Sequence, residues 1–207
     1  MSKDQKDFDF SKRAVSYDEG YAGRLSQRFY NLLQSEVKLD EGMRILDVGC
    51  GTGALLKRLC GEKRIVACGI DSEENMIAVA ARKCPDYSFQ QAKSEQLPFD
   101  DSSFNVLTAC MAYHHFSDKA GFAREAARVL KPGGVLYIAD PKFPFLIRKG
   151  INGVARLFRI AGEFLTAREM ADRFEEYGFV YSGAAYSGFA QVVKLTWQGD
   201  VQGGGEI

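Results

Sequence analysis

A doubly wound α/β sheet, mostly parallel, is the architecture this 207-residue sequence predicts, on three observations. Five short apolar runs rich in β-branched residues alternate with helical patterns, a glycine-rich turn follows the first run, and two strand-like runs joined by a tight turn come last. At roughly 100 to 200 residues per domain the length suits one domain. Apolar residues at 46% and charged residues at 26% match a chain that buries a core rather than staying disordered.

Parallel strands are buried on both faces and so read as nearly continuous apolar runs. The runs are Arg44–Val48, Arg64–Ile70, Tyr87–Gln91, Asn105–Met111 and Val135–Ala139. Helices are expected at Ala54–Cys60, Ser72–Lys83 and Lys119–Leu130. Ser72 is the expected N-cap of the second, with Glu73 and Glu74 in the first turn, where the helix dipole favours negative charge. Lys131-Pro132-Gly133-Gly134 ends the third, because Pro lacks a donor and Gly permits the turn.

Upstream, Leu25, Phe29, Leu32 and Leu33 mark one face of a helix over Tyr21–Val37, read as an N-terminal flap. Downstream, Thr166–Tyr177 reads as a capped amphipathic helix, followed by Gly178. The runs Phe179–Tyr186 and Gln191–Trp197, joined through Ser187-Gly188, must be antiparallel neighbours because their connection is so short. Residues 201–207 read as a flexible tail.

Lys plus Arg and Asp plus Glu each number 27, so the whole chain has no attractive field for polyanions, and nucleic acid is disfavoured as a partner. Five cysteines with no CxxC pair fit a reducing cytoplasm. Met1–Arg13 lacks the apolar run of a signal peptide. Phe143–Ile160 is interrupted by Arg148, Lys149, Arg156 and Arg159, short of the roughly 18 to 20 apolar residues of a transmembrane helix. Lys142–Ile160 carries no acid. That basic amphipathic pattern fits a solvated helix face, a substrate lid, a grip on an acidic substrate, or peripheral contact with a membrane surface.

The strongest signal is Ile45-Leu46-Asp47-Val48-Gly49-Cys50-Gly51-Thr52-Gly53, a buried strand running into a glycine turn and then a helix. Glycine lets the backbone approach a ligand closely. Asp71 ends the second strand, 18 residues after Gly53, where a carboxylate can accept from both hydroxyls of a ribose. The spacing is GxGxG rather than the GxGxxG of dinucleotide enzymes, and Asp47 would repel a pyrophosphate yet suit a cation. S-adenosyl-L-methionine carries a sulfonium and an ammonium.

These residues resemble the class I S-adenosylmethionine-dependent methyltransferases of the small-molecule type, similar to the quinone-biosynthesis methyltransferase group. Four segments between about residues 44 and 140 carry the resemblance: Ile45–Gly53, Gly69-Ile70-Asp71, Leu97-Pro98-Phe99 with Ser103-Phe104, and Arg128–Gly134. It implies a seven-stranded, Rossmann-like, mostly parallel sheet with an antiparallel last strand. It further implies one methyltransferase domain over residues 1–200, with a flap at 1–40 and a lid insertion at 141–165. Carried over by position, Asp47, Gly49, Cys50 and Gly51 line the methionine end, Asp71 holds the ribose, and Ser72 and Met76 lie beside ribose and adenine, Met76 being equally readable as core. Where the family commonly has Asp-Ala near adenine this chain has Lys93-Ser94, so the backbone of Ser94 and the carboxylate of Glu95 are the expected substitutes. Asn105, in place of a frequent Asp, is read as structural.

Methyl transfer is an in-line displacement that chiefly needs alignment and exclusion of water, with no metal. A base is required only when the acceptor is not already electron-rich. His114 and His115 follow the fourth strand at the carboxyl edge of the sheet, where open α/β folds keep their sites, and are the catalytic candidates. Capping or packing is their structural alternative, and adjacent histidines are poorly arranged for one metal ion. Asp140 ranks below them, being equally an ordinary turn opener. Tyr17 and Tyr21 are candidates to close over the cofactor, or else core residues. Ala109–Tyr113 stands where methylases of exocyclic or amide nitrogens carry an Asn-Pro-Pro-Tyr type sequence. The expectation is therefore methylation of a small apolar or anionic acceptor, with a non-catalytic S-adenosylmethionine-binding protein and a nicotinamide oxidoreductase as alternatives.

Overall fold

Successive strand residues point to opposite faces, so the apolar runs build two cores at once. In the computed structural model, which describes residues 20–61, 63–157 and 162–199, seven strands form one sheet in the order β3-β2-β1-β4-β5-β7-β6. They are β1 (Arg44–Val48), β2 (Val66–Asp71), β3 (Ser88–Gln91), β4 (Phe104–Cys110), β5 (Leu130–Pro141), β6 (Phe179–Ser187) and β7 (Ala190–Trp197). Pairs from β3 to β5 are parallel, and β7 runs against both β5 and β6. The helices are α1 (Tyr21–Glu36), α2 (Ala54–Cys60), α3 (Glu74–Lys83), α4 (Lys119–Val129), α5 (Phe145–Leu157) and α6 (Ala167–Glu175).

One face of the sheet sends Leu46, Val48, Leu107, Leu136 and Ile138 against α4 and α6, where Phe122, Ala126, Met170 and Phe174 are completely buried. The other sends Ile45, Val106 and Tyr137 against α1 and α2. Expected as a flap, α1 is instead a layer of this second core. Phe29 and Leu33 are fully buried among side chains of β5 and β7, and an apolar helix face gains most where it leaves water for good.

Three other expectations shift. Ser72 is not the N-cap of α3: β2 runs on through Asp71, the helix starts two residues later behind Glu73, and the Asp71 carboxylate takes the Glu73 N–H at 2.9 Å. β5 begins at Leu130 rather than Val135, because Leu130 already pairs with Phe104, and Lys131–Gly134 bulge out before Val135 pairs with Val106, with Gly133 at φ 77°. The β6–β7 turn is Gly188-Phe189 rather than Ser187-Gly188, since Ser187 pairs with Ala190, and Gly188 at φ 59° supplies the backbone such a hairpin requires. Tyr17, the side chain of Tyr21 and the tail 201–207 lie outside the described residues.

Thr166 caps α6 as read, in a reciprocal box with Glu169: the Glu169 N–H donates to the Thr166 hydroxyl and the Thr166 N–H to the Glu169 carboxylate. Glu169 also pairs with Arg148, and Asn152 bonds both backbone groups of Phe164, so polar contacts moor α5 to the segment that enters α6. No helix among the described residues is long and apolar enough to cross a membrane. Thr166→Ala is expected to lower stability by about 1 kcal/mol, measured by urea titration.

Candidate active site

The glycine turn is folded against β2, not held out on a free loop. The N–H groups of Gly49 and Cys50 both donate to the Ile70 carbonyl, each at 2.8 Å. Gly49 sits at φ 78°, and a Cβ there would come within 2.6 Å of the Ala112 side chain. Only glycine lets the turn and the loop after β4 meet. Gly51, at φ 52°, has nothing within 4 Å of where a Cβ would stand, so its backbone faces open space. Cys50 points the other way. Its buried Cβ is packed against Gly69, burial pushes its thiol well up, and only its backbone remains for a ligand.

Asp71 joins the turn to the next helix. One carboxylate oxygen accepts from Gly51 N–H at 2.9 Å and the other from Glu73 N–H at 2.9 Å. The Ser72 N–H also bears on this carboxylate, which with about four acceptor positions keeps room for a ribose hydroxyl. Burial raises the Asp71 pKa against these backbone donors, so further donors would stabilise its charge. Ser72 lies beside it with its carbonyl taken by the Gln91 amide. The side chain of Met76, on α3, is buried. After β3, the Ser94 hydroxyl donates to Glu95 at 3.1 Å. The Leu97-Pro98-Phe99 segment that follows is clamped to α4: Arg128 donates to the carbonyls of Leu97 and Phe99, and Glu125 accepts from Leu97 N–H.

Asp47 is a buried carboxylate facing one neutral hydroxyl donor, Thr108 Oγ1, at 2.7 Å. Burial pushes its pKa up to about 7, the Thr108 bond pulls it down, and the negative charge of Asp71 adds to the rise. A cation beside it would restore ionisation. An open glycine backbone, a carboxylate with lone pairs to spare and a buried acid short of a positive partner together suit the ribose and the charged end of S-adenosylmethionine.

Beyond β4, Met111 takes φ 54°, a conformation rarely populated outside glycine, with its N–H held by the Ala139 carbonyl at 2.8 Å. It turns the chain into the short helix Tyr113–His115. Tyr113 packs as core against Phe116, Phe122 and Phe174. His114 is buried, with Nδ1 2.8 Å from Asp140 Oδ1 and its ring stacked on Phe164 at 4.8 Å. The His115 ring lies tilted against that of His114, their centres 4.0 Å apart. It is exposed by surface area, yet crowding atoms disfavour its charged form and, with the charges of His114 and Lys119, lower its pKa to about 4. Gln191, opposite Asp140 on β7, is fully buried and donates to the Leu165 carbonyl at 2.6 Å. Sequence reasoning passed over it; the signal was a polar residue opening an apolar strand. A shallow cavity of about 240 Å³ lined by Lys38, Asn105, Lys131 and Tyr137 lies at the amino edge of the sheet and contains none of these groups.

Residues 46–138 match the family described as Methyltransferase domain. Over that span, a little under half of the chain, its sequence is similar to methyltransferase domains. Over 101 residues it is 40% identical to a demethylmenaquinone methyltransferase of Chlorobaculum tepidum, covering 49% of this chain and 42% of that protein. Over 163 residues it is 31% identical to the 27-O-demethylrifamycin SV methyltransferase of Amycolatopsis mediterranei, covering 74% and 57%. The chain thus spans about half the length of these curated relatives. Among solved structures, the chain that accompanies the Trm112 methyltransferase activator in a Haloferax volcanii complex superposes with a TM-score of 0.79 at 20% identity, covering 96% of this chain and 100% of that one. An S-adenosylmethionine-dependent methyltransferase from Aquifex aeolicus gives 0.71 at 22% identity, covering 90% and 98%. At such identities the likeness is one of fold.

Asp71→Ala is expected to weaken S-adenosylhomocysteine binding by about 1.5 to 3 kcal/mol in titration calorimetry, the usual worth of charge-assisted hydrogen bonds. Asp47 gives a pH signature. Its folded pKa is about 7 against 3.8 for an ordinary carboxyl, so its contribution to stability is fully present below pH 3.8 and lost as pH rises through 7. Compared with Asp47→Asn, the native chain should lose about 4 kcal/mol across that window in denaturant titrations at stepped pH.

Proposed function

We propose that this chain transfers a methyl group from S-adenosylmethionine to a hydroxyl on an apolar small molecule, with His114 as general base. The observation that carries this is the buried His114–Asp140 pair at the carboxyl edge of the sheet. A carboxylate at Nδ1 favours the tautomer with the proton on that nitrogen, leaving Nε2 as the acceptor. Stacking on Phe164 and the bond from Glu163 N–H to the His114 carbonyl hold the ring in place. Gly49 abuts Ala112, two residues from His114, so base and glycine turn share one edge.

When bound, S-adenosylmethionine supplies a methyl group activated by positive sulfur. Asp47 and the Gly49-Cys50-Gly51 backbone are read as holding its charged end, Asp71 its ribose, and Ser72, Ser94 and Glu95 as bordering the adenosine. His114 takes the acceptor proton as the oxygen attacks. His115, kept neutral by its low pKa, is a poor base at neutral pH and is read as an acceptor contact. Phe143 packs edge-on to Phe164 at 5.0 Å, extending an apolar wall beside His114. Relatives named for demethylmenaquinone and a 27-O-demethylrifamycin support a small-molecule acceptor. The five cysteines, all unpaired, support a reducing compartment.

His114→Ala should slow single-turnover methylation of a responsive hydroquinone or phenol by roughly 10²- to 10⁴-fold with unchanged S-adenosylhomocysteine affinity. Asp140→Asn should slow it less and displace the pH profile. An unchanged rate in His114→Ala removes the base from the mechanism.

A further inference from the structure

Helix α5 is polar toward the protein and apolar toward water. At about 100° per residue, Arg148, Ile151 and Asn152 share the inward arc, where Arg148 pairs with Glu169 and Asn152 bonds the Phe164 backbone. Leu146 and Val154 lie on the outer arc, with Ile147 and Phe145 at its two borders, and they are 79, 54, 54 and 59% exposed. A helix on a soluble domain normally buries its apolar stripe, and a contiguous exposed patch of this kind marks an interaction surface.

Charge identifies the partner. From Lys142 to Gly162 the chain has Lys142, Arg148, Lys149, Arg156 and Arg159 and no acid, although the whole sequence balances 27 cations against 27 anions. Lys142 precedes the helix and Lys149 lies on its outer arc between Phe145 and Leu146, their ammonium groups 4.4 Å from the Tyr186 ring centre and 5.0 Å from that of Phe145. Aliphatic and aromatic side chains bordered by lysines on one helix are the composition that partitions into an anionic bilayer interface. A second copy is a poor occupant, because a two-fold contact through this patch would set its cations against the same cations.

We propose that α5 is an interfacial anchor that lays this edge of the protein on an anionic lipid surface. Its apolar arc enters the headgroup boundary while Lys142 and Lys149 meet lipid phosphates. The helix follows β5 almost directly, so anchoring would set the His114–Asp140 edge beside the membrane, within reach of an acceptor dissolved in lipid. That last consequence rests on the methyl-transfer reading; the anchoring itself does not.

Flotation of the full chain with vesicles tests the anchor. The chain should float with vesicles of equal parts phosphatidylcholine and phosphatidylglycerol, not with phosphatidylcholine alone, and high salt should release it. Leu146→Glu, a change at an exposed position, should cut the bound fraction about tenfold with unchanged melting temperature and S-adenosylhomocysteine affinity. Lys142→Gln with Lys149→Gln should weaken binding to the anionic vesicles. The proposal is overturned if the native chain fails to float, if it floats equally with both vesicles, or if Leu146→Glu floats as well as the native chain. A dimer that Leu146→Glu dissolves, without flotation, would also overturn it and assign the patch to self-association. Loss of S-adenosylhomocysteine binding in the native chain would instead count against the methyl-transfer reading and leave the vesicle result standing.

Discussion

The Ile70 carbonyl and the Asp71 carboxylate hold the turn after β1, and much of the site's geometry descends from that arrangement. One carbonyl accepts from two consecutive N–H groups, and one carboxylate oxygen accepts from a third residue of the same turn. The turn is thereby tied to the end of β2, while its other flank is pressed onto Ala112 with no room for a side chain at Gly49. Three strand ends are fixed relative to one another by contacts that use mostly backbone. A ligand entering there meets donors and acceptors already in place, which lowers the ordering cost of binding.

Among the described residues, no cation pairs with the two acids at this edge. Asp47 is buried with one hydroxyl for company, and Asp71 lies close enough to raise its pKa further. Burial of an unpaired carboxylate is costly unless it is protonated or meets a cation. A cationic ligand therefore gains from relieving a tension that the folded chain already contains. The His114–Asp140 pair is a separate arrangement on the α4 and α6 side of the sheet, fixed by Phe164 and by the chain leading into α6. The glycine turn with its acids and the His114–Asp140 pair are thus held by different parts of the fold.

The chain between β5 and α6 links the proposed acceptor side to the surface. Arg148 fastens α5 to Glu169 on α6 and Asn152 fastens it to Phe164 in the loop before α6, where Glu163 and Phe164 fix His114. A helix fastened through its polar face has no choice but to present its apolar face outward.

Local sequence determined the sheet's strands, the glycine turn, the capping box of α6 and the acid at the end of β2, because each is specified by residues adjacent in the chain: apolar periodicity, glycine at positive φ, and Thr166 with Glu169. Its errors were of one kind. The N-cap position of α3 fell to Glu73, whose N–H is held by Asp71, rather than to Ser72, α1 forms a core layer, and β5 extended through a Pro-Gly-Gly stretch, each decided by a neighbour or by a partner distant in sequence. Tertiary structure alone put Asp140 on His114, aimed the Cys50 side chain into the core, and turned the apolar arc of α5 to solvent. Those outcomes depend on which strand ends and helix faces meet, and no spacing within a single segment encodes that.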